Sequence, residues 1–150
     1  MHNDLHTLLC QKDKKVLFVG IGNLLKSDDG VGVYISGKIK AKEGISVLTV
    51  EVSIENYIGK INRLNPDYLV LIDCMDFKSK AGNYKLLDVN QVQDLTFNTH
   101  NISLKRLKEF FIMPVFILGI QPEKVDFGEN LSYLVKENAD SIIKLINNRR

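Results

Sequence analysis

Apolar residues along this chain fall into short unbroken runs, separated by longer stretches in which they recur every three or four positions. Residues 16–19 (VLFV) form one such run, closed by glycines, and the pattern predicts a buried strand. From about residue 29 to residue 41 the spacing changes, with Val31, Tyr34, Ile35 and Ile39 on one helical face. Gly32 and Gly37 lower the intrinsic propensity of that helix, so close packing against a sheet is expected to hold it. Residues 46–52 are β-branched and predict a second strand. Ile54, Tyr57, Ile58, Ile61 and Leu64 have helical spacing, and the Asn65-Pro66-Asp67 turn stops them. Residues 68–72 are the most apolar run, a third strand that delivers Asp73 at its end. Residues 82–87 predict a fourth strand at an edge, followed by a polar segment over 88–99 and a helix over about 101–110. Residues 115–118 predict a fifth strand, stopped by Gly119 and Pro122. Leu131, Leu134, Val135, Ile142, Ile143 and Ile146 define a long amphipathic closing helix.

Strands that are apolar throughout, alternating with helices, imply a sheet covered on both faces. The expected fold class is α/β: a three-layer α/β/α sandwich on a mostly parallel five-stranded sheet, with room for one antiparallel edge strand. One domain over residues 1–150 is expected, with residues 1 to about 14 a loose polar arm. In such folds ligands bind outside the carboxyl ends of the strands, which says where to look for chemistry.

Charge narrows the choice of partner. Twenty basic and 18 acidic side chains leave a net charge of +2, too balanced for nucleic acid as the main partner. Lys12, Lys14, Lys15 and the pair Arg149, Arg150 cluster, and both groups read as solvated ends. No apolar run approaches the roughly 20 residues that span a bilayer, and the first 15 residues lack a secretory pattern. A cytoplasmic protein without membrane insertion is the simple expectation. Cys10 and Cys74 form neither a disulfide framework nor a CxxC pair.

Three constellations carry candidate chemistry. The segment GIGNLLKSDDGVGV, residues 20–33, follows the first strand. A dinucleotide fingerprint would need glycine where Leu25 stands, and Asp28 and Asp29 would repel a pyrophosphate. Ser27, Asp28 and Asp29 can simply cap the following helix; a cation site is the sharper reading, and one acid can cap while the other faces the crevice. Asp73, at the mouth of the crevice, is either a ligand or an ordinary loop carboxylate, with Asp76 a possible substitute. Cys74 should point the opposite way and pack as a small buried side chain. Of three histidines, His2 and His6 lie in the arm and His100 precedes a helix, whose N-terminus favours the neutral, metal-binding ring. A structural histidine is the bland alternative. Together Asp29, Asp73 and His100 would leave coordination positions open for water or substrate, the pattern of a hydrolytic metal site. There is no G-x-S-x-G and neither cysteine has an evident base, so a covalent intermediate is not expected.

In order along the chain, GIGNLLKSDDGVGV, LVLIDCMDF, THNISL and LGIQPEKVDFG resemble the hydrogenase maturation proteases, over roughly residues 15–146. THN followed by LGIQP is most similar to the branch that processes the formate-hydrogenlyase large subunit. The resemblance implies an endopeptidase, classed with the aspartic type, that removes a C-terminal extension from a [NiFe]-hydrogenase large-subunit precursor. It implies that the precursor arrives carrying nickel, and that Asp29, Asp73 and His100 bind that nickel and form the catalytic site. Because the precursor supplies the remaining ligands, the free enzyme is expected to hold nickel weakly, and a monomer is favoured. The chain departs from the family after the second strand, where TVEVSIEN (residues 49–56) lacks the usual glycine-containing turn. Two other functions fit parts of the pattern. A peptidyl-tRNA-hydrolase-like enzyme shares the glycine-Asn turn, an Asp and a His, but wants a basic face. A non-catalytic nickel-sensing chaperone would account for the altered loop.

Overall fold

The computed structural model describes residues 4–51, 53–91, 96–97 and 104–149. Strands β1 (Val16–Ile21), β2 (Ile45–Glu51), β3 (Tyr68–Asp76), β4 (Tyr84–Asp88) and β6 (Val115–Ile120) form one sheet in the order β2-β1-β3-β6-β4. A two-residue strand, β5 (Thr96–Phe97), pairs antiparallel with the end of β3. The β1–β2, β1–β3 and β3–β6 ladders are parallel, and β4 runs antiparallel along the edge. The expected mixed sheet is therefore the observed one.

Helices α1 (Asp4–Leu9), α2 (Val31–Ser36) and α5 (Tyr133–Asn147) carry the residues that cover one face. Leu5, Val31, Ile35, Val135 and Ile142 pack there with Phe18, Val70 and Ile72. Ile61 of α3 (Ile58–Leu64) and Leu107 of α4 (Leu104–Lys108) cover the other, over Leu17, Leu69, Leu71 and Ile117. The period-2 alternation of each strand thus feeds two separate cores. Asn65 ends α3 in the left-handed region, at φ 48°, a conformation that asparagine tolerates.

Several boundaries differ from the sequence reading. The expected helix over 29–41 is a 3₁₀ turn (Ser27–Gly30) followed by only six α-helical residues. The reason lies at Gly32, where a Cβ would collide with the carbonyls of Ile21 and Ile72. The helix is pressed onto the ends of β1 and β3, and packing rather than length holds it. The third strand runs on to Asp76, so Asp73 lies inside it rather than at its end. The β1 ladder nevertheless stops at Ile72, leaving Asp73 as the first β3 residue beyond β1.

The expected loose arm is corrected over Asp4–Leu9. Leu5, Leu8 and Leu9 of α1 are buried in the core, a spacing that the short polar run concealed. Arg149 is corrected too: it is buried, and its guanidinium donates to the carbonyls of Gly44, Gln11 and Lys14. Three backbone acceptors exploit the fixed fork of the guanidinium and tie the last helix to the first loop. Among the described residues no helix is long and apolar enough to cross a membrane.

Candidate active site at the strand switch point

From β1 the chain crosses to β2 on one side, then returns past β1 to β3 on the other. The α2 crossover packs on one face and the α3 crossover on the opposite face. The gap above β1 and β3 is therefore the switch point, where the two crossovers diverge and leave a crevice. Asp29 enters from the turn after β1, and Asp73 stands on β3 just past the β1 ladder. The turn packs directly against β3. Both residues are about 2% exposed, an unusual state for carboxylates.

Cys74 reports on their proximity. Its thiol is pushed far above the ordinary range, first by burial and then by the negative charges of Asp73, Asp29, Asp28 and Asp76. It therefore stays protonated, neither a thiolate ligand nor a nucleophile. Its neighbours in the core place it on the α2 and α5 face, while Leu71 and Met75 belong to the other. Alternation then puts Asp73 opposite Cys74, as the sequence reading expected.

Asp28 has a different occupation. Its Oδ2 accepts hydrogen bonds from the Glu123 and Lys124 amides, both at 2.9 Å, and from the Ser132 hydroxyl at 2.7 Å. Its Oδ1 accepts the Ser132 amide at 2.7 Å. Asp28 thus ties the turn after β1 to the segment between β6 and α5. The helix caps themselves are Lys26 and Gly30, neither with a side-chain cap bond, so for Ser27 and Asp28 the capping alternative is replaced by this cross-link. Ser27 joins it by donating to the Asp126 carbonyl. Sequence inspection had no signal for this, since the partners lie about a hundred residues away.

Asp76 is also engaged elsewhere. Its carboxyl is held below the usual range by the Lys78 amide and then by the Gln121 side chain. Buried Gln121 accepts the Phe77 and Ser79 amides through Oε1, bracing the turn that leaves β3. This brace was not anticipated, and Gln121 sits one residue past β6, within the LGIQP motif.

His100, the third residue of the expected set, lies outside the described residues, as does His2. Among the described residues no three His, Cys, Asp or Glu side chains gather into a metal-binding group. The donor set is two buried carboxylates near the same end of the sheet beside a protonated thiol, and Asp73 Oδ1 also accepts the Cys74 amide at 2.7 Å.

A doubly wound α/β domain with buried acids at its switch point belongs to the class of open α/β folds that bind ligands outside the carboxyl ends of their strands. A family model for hydrogenase maturation protease matches residues 31–149. A putative hydrogenase maturation protease of Methanocaldococcus jannaschii is 30% identical, covering 89% of this chain and 86% of that one. The crystal structure of the [NiFe] hydrogenase maturation protease HycI from Thermococcus kodakarensis superposes with a TM-score of 0.79 at 25% identity, covering 97% of this chain and 100% of that one. The solution structure of the Escherichia coli endopeptidase HycI gives 0.75 at 26% identity, covering 89% of each chain. This chain belongs to the hydrogenase maturation protease family.

Proposed function

We propose that this protein removes a C-terminal extension from a [NiFe]-hydrogenase large-subunit precursor that already carries nickel, and that Asp29, Asp73 and His100 engage that nickel. The observation that carries the reading is the pair of buried carboxylates, Asp29 and Asp73, on the two chain segments flanking the switch point. Two carboxylates buried at one end of the sheet concentrate negative charge there, with Asp73 already accepting the Cys74 amide. A divalent ion delivered by the substrate relieves their repulsion, so loaded precursor binds better than empty precursor. Nickel then serves as a recognition element, and as a Lewis acid it polarises a nearby carbonyl. In this reading a carboxylate of the pair accepts a proton from the attacking water. With few protein ligands and no thiolate, the free enzyme holds the ion weakly.

The formate-hydrogenlyase large subunit is the first precursor to test, from the THN and LGIQP motifs. The protein is incubated with nickel-loaded and nickel-free precursor, and the product is read by intact mass. Loaded precursor should lose its extension while empty precursor persists. Asp29→Asn, Asp73→Asn and His100→Ala should each abolish cleavage, with circular dichroism melts showing that each variant still folds. Equal cleavage of both precursors refutes the recognition role of nickel. Association without cleavage by the parent protein would make it a nickel-sensing chaperone instead.

A further inference from the structure

The carboxyl end of β2 carries a local irregularity beside the crevice. Gly20 pairs with Thr49 and Ile21 with Glu51, so Val50 is an extra residue, a bulge on β2. Glu51 follows it at φ 54°, a left-handed conformation that a non-glycine residue adopts at a cost of about 1–3 kcal/mol. Bulges of this kind re-aim side chains at the ends of sheets. The Glu51 carbonyl accepts the Gly22 amide at 2.7 Å. On its other side Gly22 lies so close beneath the Asp29 carbonyl that no Cβ fits. A single glycine therefore separates the backbone of Glu51 from that of Asp29.

The bulge opens an open-sided polar cavity of about 540 Å³, lined by Thr49, Val50, Glu51, Ser53, Asn56 and Tyr57. Its floor is fixed, since the Thr49 hydroxyl shares a 2.6 Å hydrogen bond with buried Ser36. Glu51 is exposed and supplies the only charge among these lining residues. Among the described residues no ion pair or hydrogen bond occupies its carboxylate. A carboxylate held in a polar, part-enclosed recess attracts a cationic side chain and orients it through charge-assisted hydrogen bonds.

We infer that this cavity is a specificity subsite, in which Glu51 receives a lysine or arginine of the protein substrate close to the bond that is cut. The inference rests on the proteolytic reading above for the identity of the substrate. Glu51 acts here as a binding residue, since it lines the recess, whose lining includes neither Asp29 nor Asp73. Its strained backbone holds Gly22 under Asp29 and keeps recess and crevice in fixed register.

The test uses the full-length protein and the nickel-loaded precursor, immobilised for association and free in solution for cleavage. Glu51→Gln removes the charge and Glu51→Lys reverses it, and circular dichroism melts show that each folds. Because the backbone bond at Gly22 survives both changes, a purely structural role predicts parent behaviour. The expected result is a KM raised roughly fivefold by Gln with kcat within twofold, since a part-exposed charged pair contributes modestly. Glu51→Lys should lose most association with the parent precursor. It should regain association with one precursor in which a single Lys or Arg near the cut is replaced by Glu. Parent-like KM and association for both variants, or no rescue by any charge-reversed precursor, overturns the subsite. Glu51-dependent association without cleavage keeps the subsite and refutes the protease reading. Cleavage that ignores Glu51 does the reverse, and a parent protein that neither associates nor cleaves refutes both.

Discussion

Replacing Asp28 tests how the crevice is built. The side chain is fully buried and accepts four hydrogen bonds, three of them from backbone amides. In Asp28→Asn the remaining oxygen can keep the Oδ2 position, preserving the Glu123, Lys124 and Ser132 hydroxyl bonds. The new amide group then faces the Ser132 N–H, donor against donor. One buried clash of that kind costs about 1–3 kcal/mol. Asp28→Ala strands all four donors and leaves a small void, and because part of the segment reaches solvent the expected cost is about 3–5 kcal/mol. For a chain of this length each kcal/mol lowers the thermal midpoint by roughly 2–4 °C. Asn should therefore melt about 2–12 °C early and Ala about 6–20 °C early. Urea denaturation gives the free energies, and amide exchange should accelerate first at Glu123, Lys124 and Ser132. Cleavage should fall as well, because the loosened turn carries Asp29. An alanine variant within about 0.5 kcal/mol of the parent, or exchange rates unchanged at those three amides, would refute the reasoning.

Four further outcomes are expected. Gly32→Ala forces a Cβ into the carbonyls of Ile21 and Ile72 and should cost about 3 kcal/mol in urea denaturation. Gly59→Ala, exposed in α3 with only the flexible Arg63 side chain nearby, should stabilise by about 0.5–1 kcal/mol in the same assay. A disulfide reagent should titrate Cys10 in the native protein and Cys74 only on unfolding, since one thiol is exposed and the other is buried and protonated; equal native rates would contradict this. The Asp140 carboxyl is held below its ordinary range by the Tyr34 hydroxyl at 2.6 Å and then by Lys136. Its depressed folded-state pKa gives stability that is present above the unfolded value of about 4. That stability is lost as pH falls through the folded value. Asp140→Asn should thus flatten the acid limb of the urea midpoint below pH about 4.

The sequence by itself determined the layer architecture, because unbroken apolar runs must be buried on both faces and helices must cover them. It also found the buried strands along the chain and brought Asp29 and Asp73 to the same end of the sheet, although Asp73 proved to lie within β3, just past the β1 ladder, and not after the strand. The four ordered motifs were enough to reach the family. What tertiary structure decided were the contacts between residues far apart in the chain. Asp28 looked like a helix cap and instead fastens the segment after β6, because its partners come from residues 123–132. The polar N-terminal stretch hid three leucines that pack under β4 and α5, a burial that local hydrophobicity could not register. Gly32 looked like a weak point in a helix, whereas the fold uses its missing side chain to seat α2 on two strand ends. The bulge at Val50 and the left-handed Glu51 leave no mark in an alternating β-branched run, because a register shift is a property of two strands and not of one.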